Sequence, residues 1–156
     1  MSSNDELEIQ ESNKQLARRG FEIFNVTREL SQAGEVYAED VANYDNGVFG
    51  FKGLKAMVNW GKLFADCVPD MQARITEQRA GDGFVVSHWE SSGTITGKLC
   101  GVDPHGAQLV LHGLYVDICR GGKITEHWGY YDSASFLQQV GAIRIPESAG
   151  HLPEPA

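Results

Sequence analysis

Two strand-length segments meet at Gly121-Gly122, the run from Leu109 to Arg120 before it and Lys123 to Tyr131 after it. A tight hairpin turn needs φ > 0 at its central residues, and a Gly-Gly pair provides it without steric cost. The two segments are therefore predicted to form a long β-hairpin. Its second arm carries Glu126, His127, Trp128, Tyr130, Tyr131 and Asp132 in close succession. Such a density of ionisable and aromatic side chains on one strand points to a strand that lines a polar cavity.

The rest of the chain supplies what the hairpin packs against. Leu16, Ala17, Phe21 and Phe24, with Ile23, recur at helical spacing, and Gly20 within them admits close packing. Leu30–Tyr37 reads as a short helix, Val41–Asp45 as a short strand, and Asp45-Asn46-Gly47 as a turn. Leu54–Cys67 is an amphipathic helix stopped by Pro69. Strands follow at Met71–Arg79, Phe84–Thr96, Gln108–Arg120 and Lys123–Tyr131, and Ser133–Val140 closes as a helix. Helices first and antiparallel strands afterwards define an α+β fold. Its expected form is a curved antiparallel sheet wrapped around the N-terminal helices, with a pocket at the open end. One domain, 1–156, is expected, ordered over about 7–145, with residues 1–6 and the tail from about Pro146 mobile.

Charge narrows the partners. The formal net charge is −8, and no basic cluster exists beyond Arg18-Arg19. This argues against nucleic acid or an anionic membrane as partner. The acidic N-terminus resembles no signal peptide, and no apolar run approaches the ~20 residues of a membrane span. Cys67, Cys100 and Cys119 lack metal-like or CxxC spacing and read as thiols in a reducing compartment, so a cytoplasmic protein is expected. The five histidines (88, 105, 112, 127 and 151) show no zinc spacing, and no nucleotide-binding or nucleophile-elbow motif occurs. Neither a metal nor a cofactor is expected.

The segment Gly122–Asp132, of the form Gly-Lys-Ile-x-Glu-x-Trp-x-x-x-Asp, and the following Leu137-Gln138-Gln139-Val140-Gly141 resemble the C-terminal signature of the SnoaL-like polyketide cyclases. These belong to the nuclear-transport-factor-2-like superfamily of cone-shaped α+β barrels. Phe24-Asn25, Tyr37-Ala38-Glu39-Asp40, Gly53-Leu54-Lys55-Ala56, Pro69-Asp70, Gly81–Val86 and Gly93–Gly97 follow in the family's order. The resemblance implies a cofactor-independent cyclase or isomerase of antibiotic and other natural-product biosynthesis. It also implies a small hydrophobic polyketide-like substrate and a homodimer. Two departures matter. Where the best-known members carry a general-base aspartate, two residues after the position of His127, this chain has Gly129; Ile95 replaces the histidine of a Gly-Thr-His-Thr-Gly motif. Aldol-type ring closure therefore does not transfer directly. Acid–base catalysis by Asp117 and His127, assisted by Tyr115 or Tyr44, is the leading expectation. Oxygenation, as in relatives that lack the base, and non-catalytic ligand binding are the alternatives.

Alternation divides the Gln108–Arg120 strand into two sets. The resemblance places Leu109, Leu111, Gly113, Tyr115, Asp117 and Cys119 on the concave face. The last strand leaves two registers open. A two-residue turn pairs Asp117 with Glu126 and Tyr115 with Trp128; a three-residue turn pairs Asp117 with Thr125 and Tyr115 with His127. A one-residue slip inverts every side chain, so the cavity face is either Glu126/Trp128/Tyr130 or His127/Gly129/Tyr131. Turn chemistry favours the first and the resemblance the second. The candidate substrate-binding residues are Tyr44, His88, Trp89, Tyr115, Glu126, Trp128 and Tyr131. His88 and Glu90 share one face of their strand, Trp89 and Ser91 the other. The resemblance sets Asn43 and Asp45 near the pocket mouth, although a turn role suits them equally. The opposite set, His112, Leu114, Val116 and Ile118, is apolar enough to predict dimerisation through the outer face of the sheet.

Overall fold

The computed structural model describes residues 2–98, 101, 103–104, 106–144 and 146. The expectations for Cys100, His105, His151 and most of the C-terminal tail lie outside the described residues. The chain opens with helix α1, Ser3–Asn25. Ser2 caps it: its hydroxyl accepts from the Asp5 amide while the Asp5 carboxylate accepts from the Ser2 amide, and Asp5 and Glu6 face the positive helix end. Helix thus already runs from Ser3, within the segment expected to be mobile. A 3-10 turn at Leu30–Gln32 and helix α2, Ala33–Val36, then lead directly into strand β1, Tyr37–Asp45.

The Asn46-Gly47 turn, with φ of 47° and 80°, returns β1 into a strand the periodicity did not reveal, β2 at Val48–Lys52. Helix α3, Leu54–Cys67, follows. Arg28 caps its end, donating to the carbonyls of Ala65 (3.0 Å) and Val68 (2.8 Å). The remaining elements match the reading closely: β3 Gln72–Ala80, β4 Phe84–Thr94, β5 Gln108–Arg120, β6 Lys123–Tyr131 and helix α4, Ser133–Gln139. None of the described helices is long and apolar enough to cross a membrane.

Among the described residues six strands form one sheet in the order β2-β1-β6-β5-β4-β3, curled but not closed. The sheet is mixed, because β1 runs parallel to β6 while every other neighbour is antiparallel. The expected curved antiparallel sheet is present, with this one parallel pairing as its departure. Helix α3, between β2 and β3, crosses over so that the last strand can return alongside β1 in the same direction.

Two clusters fill the concave side. One gathers Ala17 and Ile23 of α1, Val36, Val41, Val85 and Ile124; the other gathers Phe21, Val68, Trp89, Leu109, Leu111 and Phe136. Ile23, Val41, Val85 and Ile124 are fully buried, each worth roughly 1.5–3 kcal/mol relative to exposure. Between and beyond these clusters the curled sheet leaves a gap, and the functional candidates collect there.

Candidate active site

A cavity of about 300 Å³ lies between the concave face of the sheet, α1 and α3. The helices give it apolar walls, Phe21 and Phe24 from α1 and Met57, Trp60 and Phe64 from α3. Gly61 brings these helices together: a Cβ there would stand 2.7 Å from the Phe24 ring. The strands add polar groups, Asn43 and Asp45 from β1, Tyr115 from β5, His127 and Tyr131 from β6.

The register of the β5–β6 hairpin decides which chemistry faces inward. Gly121 and Gly122 form the two-residue turn, with φ of 58° and 74°, and Arg120 pairs with Lys123. The pairing then shifts by one residue between Ile118 and Cys119, so that Thr125 is extra. Its hydroxyl donates to the Ile118 carbonyl across the hairpin (3.3 Å). Beyond this bulge Ile118 faces Glu126, Asp117 faces His127, and Tyr115 faces Gly129. Turn chemistry thus gives the correct turn, and the bulge puts the His127 set inside. Neither unbulged register is the real one.

Asp117 and His127, directly opposite on the concave face, join through His127 Nδ1 and Asp117 Oδ1 at 2.7 Å. Asp117 is only 3% exposed and stands behind the histidine, which itself lines the cavity. An ionised Asp117 fixes the proton on Nδ1 and leaves Nε2 as the nitrogen available to a ligand. Aromatic rings hold the imidazole on two sides, Tyr115 at 4.6 Å and Tyr37 at 6.2 Å between centroids.

The Asp117 charge is felt around it. Burial, reinforced by Asp117, pushes the Tyr37 and Tyr115 hydroxyls above the usual phenol range and the Cys119 thiol up to about 12. Both phenols therefore remain neutral donors, and Asn25 hydrogen-bonds Tyr115. Burial likewise raises the Asp45 carboxyl, opposed by His127. Trp89 borders the cavity with its indole Nε1 buried and without a hydrogen-bond partner among the described residues. Among those residues no three His, Cys, Asp or Glu side chains come together as a metal site.

The structure therefore sorts the candidates. Asp117 and His127 meet; Trp89, Tyr115 and Tyr131 border the cavity. His88, Glu126 and Trp128 do not. Strand alternation turns them to the outer face, where His88 is exposed and Trp128 Nε1 donates to Glu126 (3.3 Å). Tyr44 touches the cavity, but its ring lies flat on Trp128, 3.7 Å away and 4° from parallel. The sequence reading missed Asn25 as a cavity group and the helical aromatics as its walls. Helical spacing had marked Phe21 and Phe24 as a buried face without showing what that face would cover.

A long N-terminal helix, a curled six-stranded sheet and a helix-roofed cavity define the α+β fold class that the resemblance implied. The SnoaL-like polyketide cyclase model matches residues 14–140, and the chain belongs to that family. Comparison with curated protein sequences finds no match. Solved structures with the same fold include a candidate SnoaL-like polyketide cyclase from Jannaschia sp. CCS1, at 14% identity and a TM-score of 0.80, covering 87% of this chain and 96% of that one. AclR, a candidate hydroxylase from Streptomyces galilaeus, superposes with a TM-score of 0.75 at 21% identity over 89% and 91% of the two chains. IdmH, a candidate polyketide cyclase from Streptomyces antibioticus, does so with a TM-score of 0.70 at 23% identity over 83% and 98%.

Proposed function

We propose that this protein is a cofactor-independent cyclase or isomerase that rearranges a polyketide or related natural-product intermediate by proton transfer. The carrying observation is the Asp117–His127 pair, 2.7 Å apart, at the edge of an aromatic-walled cavity of about 300 Å³. A histidine suits such work because its charge changes near neutral pH. Asp117 holds the ring and stabilises the imidazolium that forms during transfer. The Tyr115 ring packs 4.6 Å from the His127 ring on the same cavity wall, and its neutral hydroxyl is the donor proposed to bind a substrate oxygen. Family membership and the cyclase descriptions of structural relatives support the substrate class.

The test is turnover of aromatic polyketide precursors by the purified protein. His127→Ala is expected to lower kcat by ~10²–10⁴-fold. Asp117→Asn should lower kcat with KM little changed, because Asp117 acts through His127. Near-normal turnover in both variants would overturn the assignment. A second reading, oxygenation, draws on the hydroxylase description of AclR and on Gly129. Label from dioxygen in the product would favour it; the same product formed without oxygen rejects it.

A further inference from the structure

Asp45 is the last residue of β1, and the parallel pairing of β1 with β6 sets it beside Gly129, two residues beyond the Asn43–His127 pair. A residue two positions along a neighbouring strand points to the same face, and both Asp45 and His127 line the cavity. Its charge reaches both His127 and Tyr115, on different strands. The carboxylate is thus turned toward the space those rings enclose.

The strand end is also held in place. The Asn46 amide donates to the Gly129 carbonyl (2.8 Å), and Asn46 Oδ1 accepts from the Tyr131 amide (3.1 Å). Asn46 Nδ2 reaches Ser133 of α4 at 2.8 Å. These three bonds strap the turn to β6 and α4, so Asp45 has a fixed seat at the cavity mouth. Gly129 beside it is not demanded by backbone geometry, for it is absent from the positive-φ residues. A Cβ there would meet only ordinary contacts, the Tyr115 ring at 3.5 Å and the Tyr44 carbonyl at 3.9 Å. Glycine here leaves room for a methyl group against the Tyr115 ring, beside the strand position of Asp45.

We propose that Asp45 is a second catalytic residue, its carboxylate removing a proton from a substrate carbon while the His127 imidazolium gives one to the adjacent carbonyl oxygen. This rests on the acid–base reading above, with the Asp117-stabilised imidazolium of His127 as the acid and Asp45 as a separate base. The step balances. The C–H bond breaks, its proton goes to Asp45, and its electron pair becomes the enol double bond as the carbonyl oxygen takes the imidazolium proton. Re-forming the carbonyl returns that proton to His127. The proton on Asp45 goes to a different carbon in an isomerisation, or to the oxygen freed when the enol carbon closes a ring on a second carbonyl.

The test uses 5-nitrobenzisoxazole, a flat aromatic probe that reports a carbon base directly. Removal of its C–H proton forms a nitrile as the N–O electron pair leaves on a coloured phenolate. The wild type is expected to open the probe faster than acetate at the same pH, and Asp45→Asn to lose that acceleration by ~10²-fold or more. Asp45 is solvent-exposed at the mouth and the turn is held by Asn46, so the variant should keep its fold, checked by its unfolding temperature. Gly129→Ala, which fills the space beside the carboxylate, should raise KM for the probe. Loss in His127→Ala but not in Asp45→Asn overturns this proposal and spares the Asp117–His127 reading. Loss in Asp45→Asn, with polyketide turnover unaffected by His127→Ala, keeps Asp45 as the carbon base but overturns His127 as its proton donor, and with it the Asp117–His127 reading. A wild type no faster than acetate overturns Asp45 as a base, whatever the polyketide turnover.

Discussion

Single side chains around this cavity owe their state to burial first and to Asp117 second. It is a carboxylate at 3% exposure whose compensation comes from His127, and its field extends to Tyr37, Tyr115 and Cys119. Taking a carboxylate out of water is costly unless it is paired and hydrogen-bonded. That makes the pair a unit rather than two independent groups. Cys119, two residues along the same face, gives a test that needs no substrate. Burial first and the Asp117 charge second push its thiol up to about 12, and only the thiolate is a good nucleophile. Iodoacetamide at mildly alkaline pH should therefore leave Cys119 unmodified in the folded protein and alkylate it in urea. Peptide mass spectrometry reads the outcome, and rapid labelling of folded Cys119 would contradict the burial of this face.

Among elements, two short connections hold the sheet in the shape the cavity requires. The first is the bulge at Thr125, which strengthens local twist and turns His127 inward. The second is Asp70, between α3 and β3. Its carboxylate accepts from the Thr94 amide at 2.7 Å and from the Thr94 hydroxyl at 2.8 Å, tying the connection to the end of β4. These bonds hold the Asp70 carboxyl below the usual carboxylate range. A depressed folded-state pKa means that the unfolded chain binds the proton more readily. The stabilisation is therefore complete above the unfolded value of about 3.9 and is lost as pH falls through the lower folded value. Asp70→Asn should lower the melting temperature at neutral pH and flatten its decline below about pH 4. Calorimetry across that range tests this, and an unchanged acid limb would remove Asp70 from the account.

At the scale of the molecule, the outer face of the sheet has its own organisation. Strand registers place Phe49, Tyr44, Trp128, Val116 and Val86 in one row across five strands. Phe49 meets Tyr44 edge-on at 5.7 Å, and Tyr44 stacks on Trp128. Phe49 is 56% exposed, and Val110, six residues from Val116 on the same face of β5, is 52% exposed. We propose that a second copy of the chain covers this belt, since a row crossing the sheet can meet its own image about a two-fold axis. Light scattering should report a dimer for the wild type and a monomer for Val116→Glu, with 5-nitrobenzisoxazole opening retained. A monomeric wild type, or a dimer indifferent to Val116→Glu, would place any association elsewhere.

What the sequence determined by itself is whatever depends on neighbours along the chain. Alternation in Gln108–Arg120 divided that strand into two sets, of which the resemblance marked one as concave; Gly121-Gly122 gave the turn, and the apolar spacing of Leu54–Cys67 with Pro69 gave α3 and its end. Its motifs also carried the resemblance that the family match bears out. What only the tertiary structure decided depends on two strands at once. The extra residue at Thr125 has no local signature, yet it reverses the faces of Glu126 and His127. The short β2 was hidden because Val48–Lys52, with Gly50 in its middle, offers little periodicity in five residues. The parallel pairing of β1 with β6 joins residues more than eighty positions apart, and nothing in Asp45 or Gly129 alone announces that they stand side by side. Side-chain direction within a strand is a local property of the backbone. Register between strands is set by the hydrogen bonds and packing of the whole sheet, and it brings Asp45, Asp117 and His127 around one cavity.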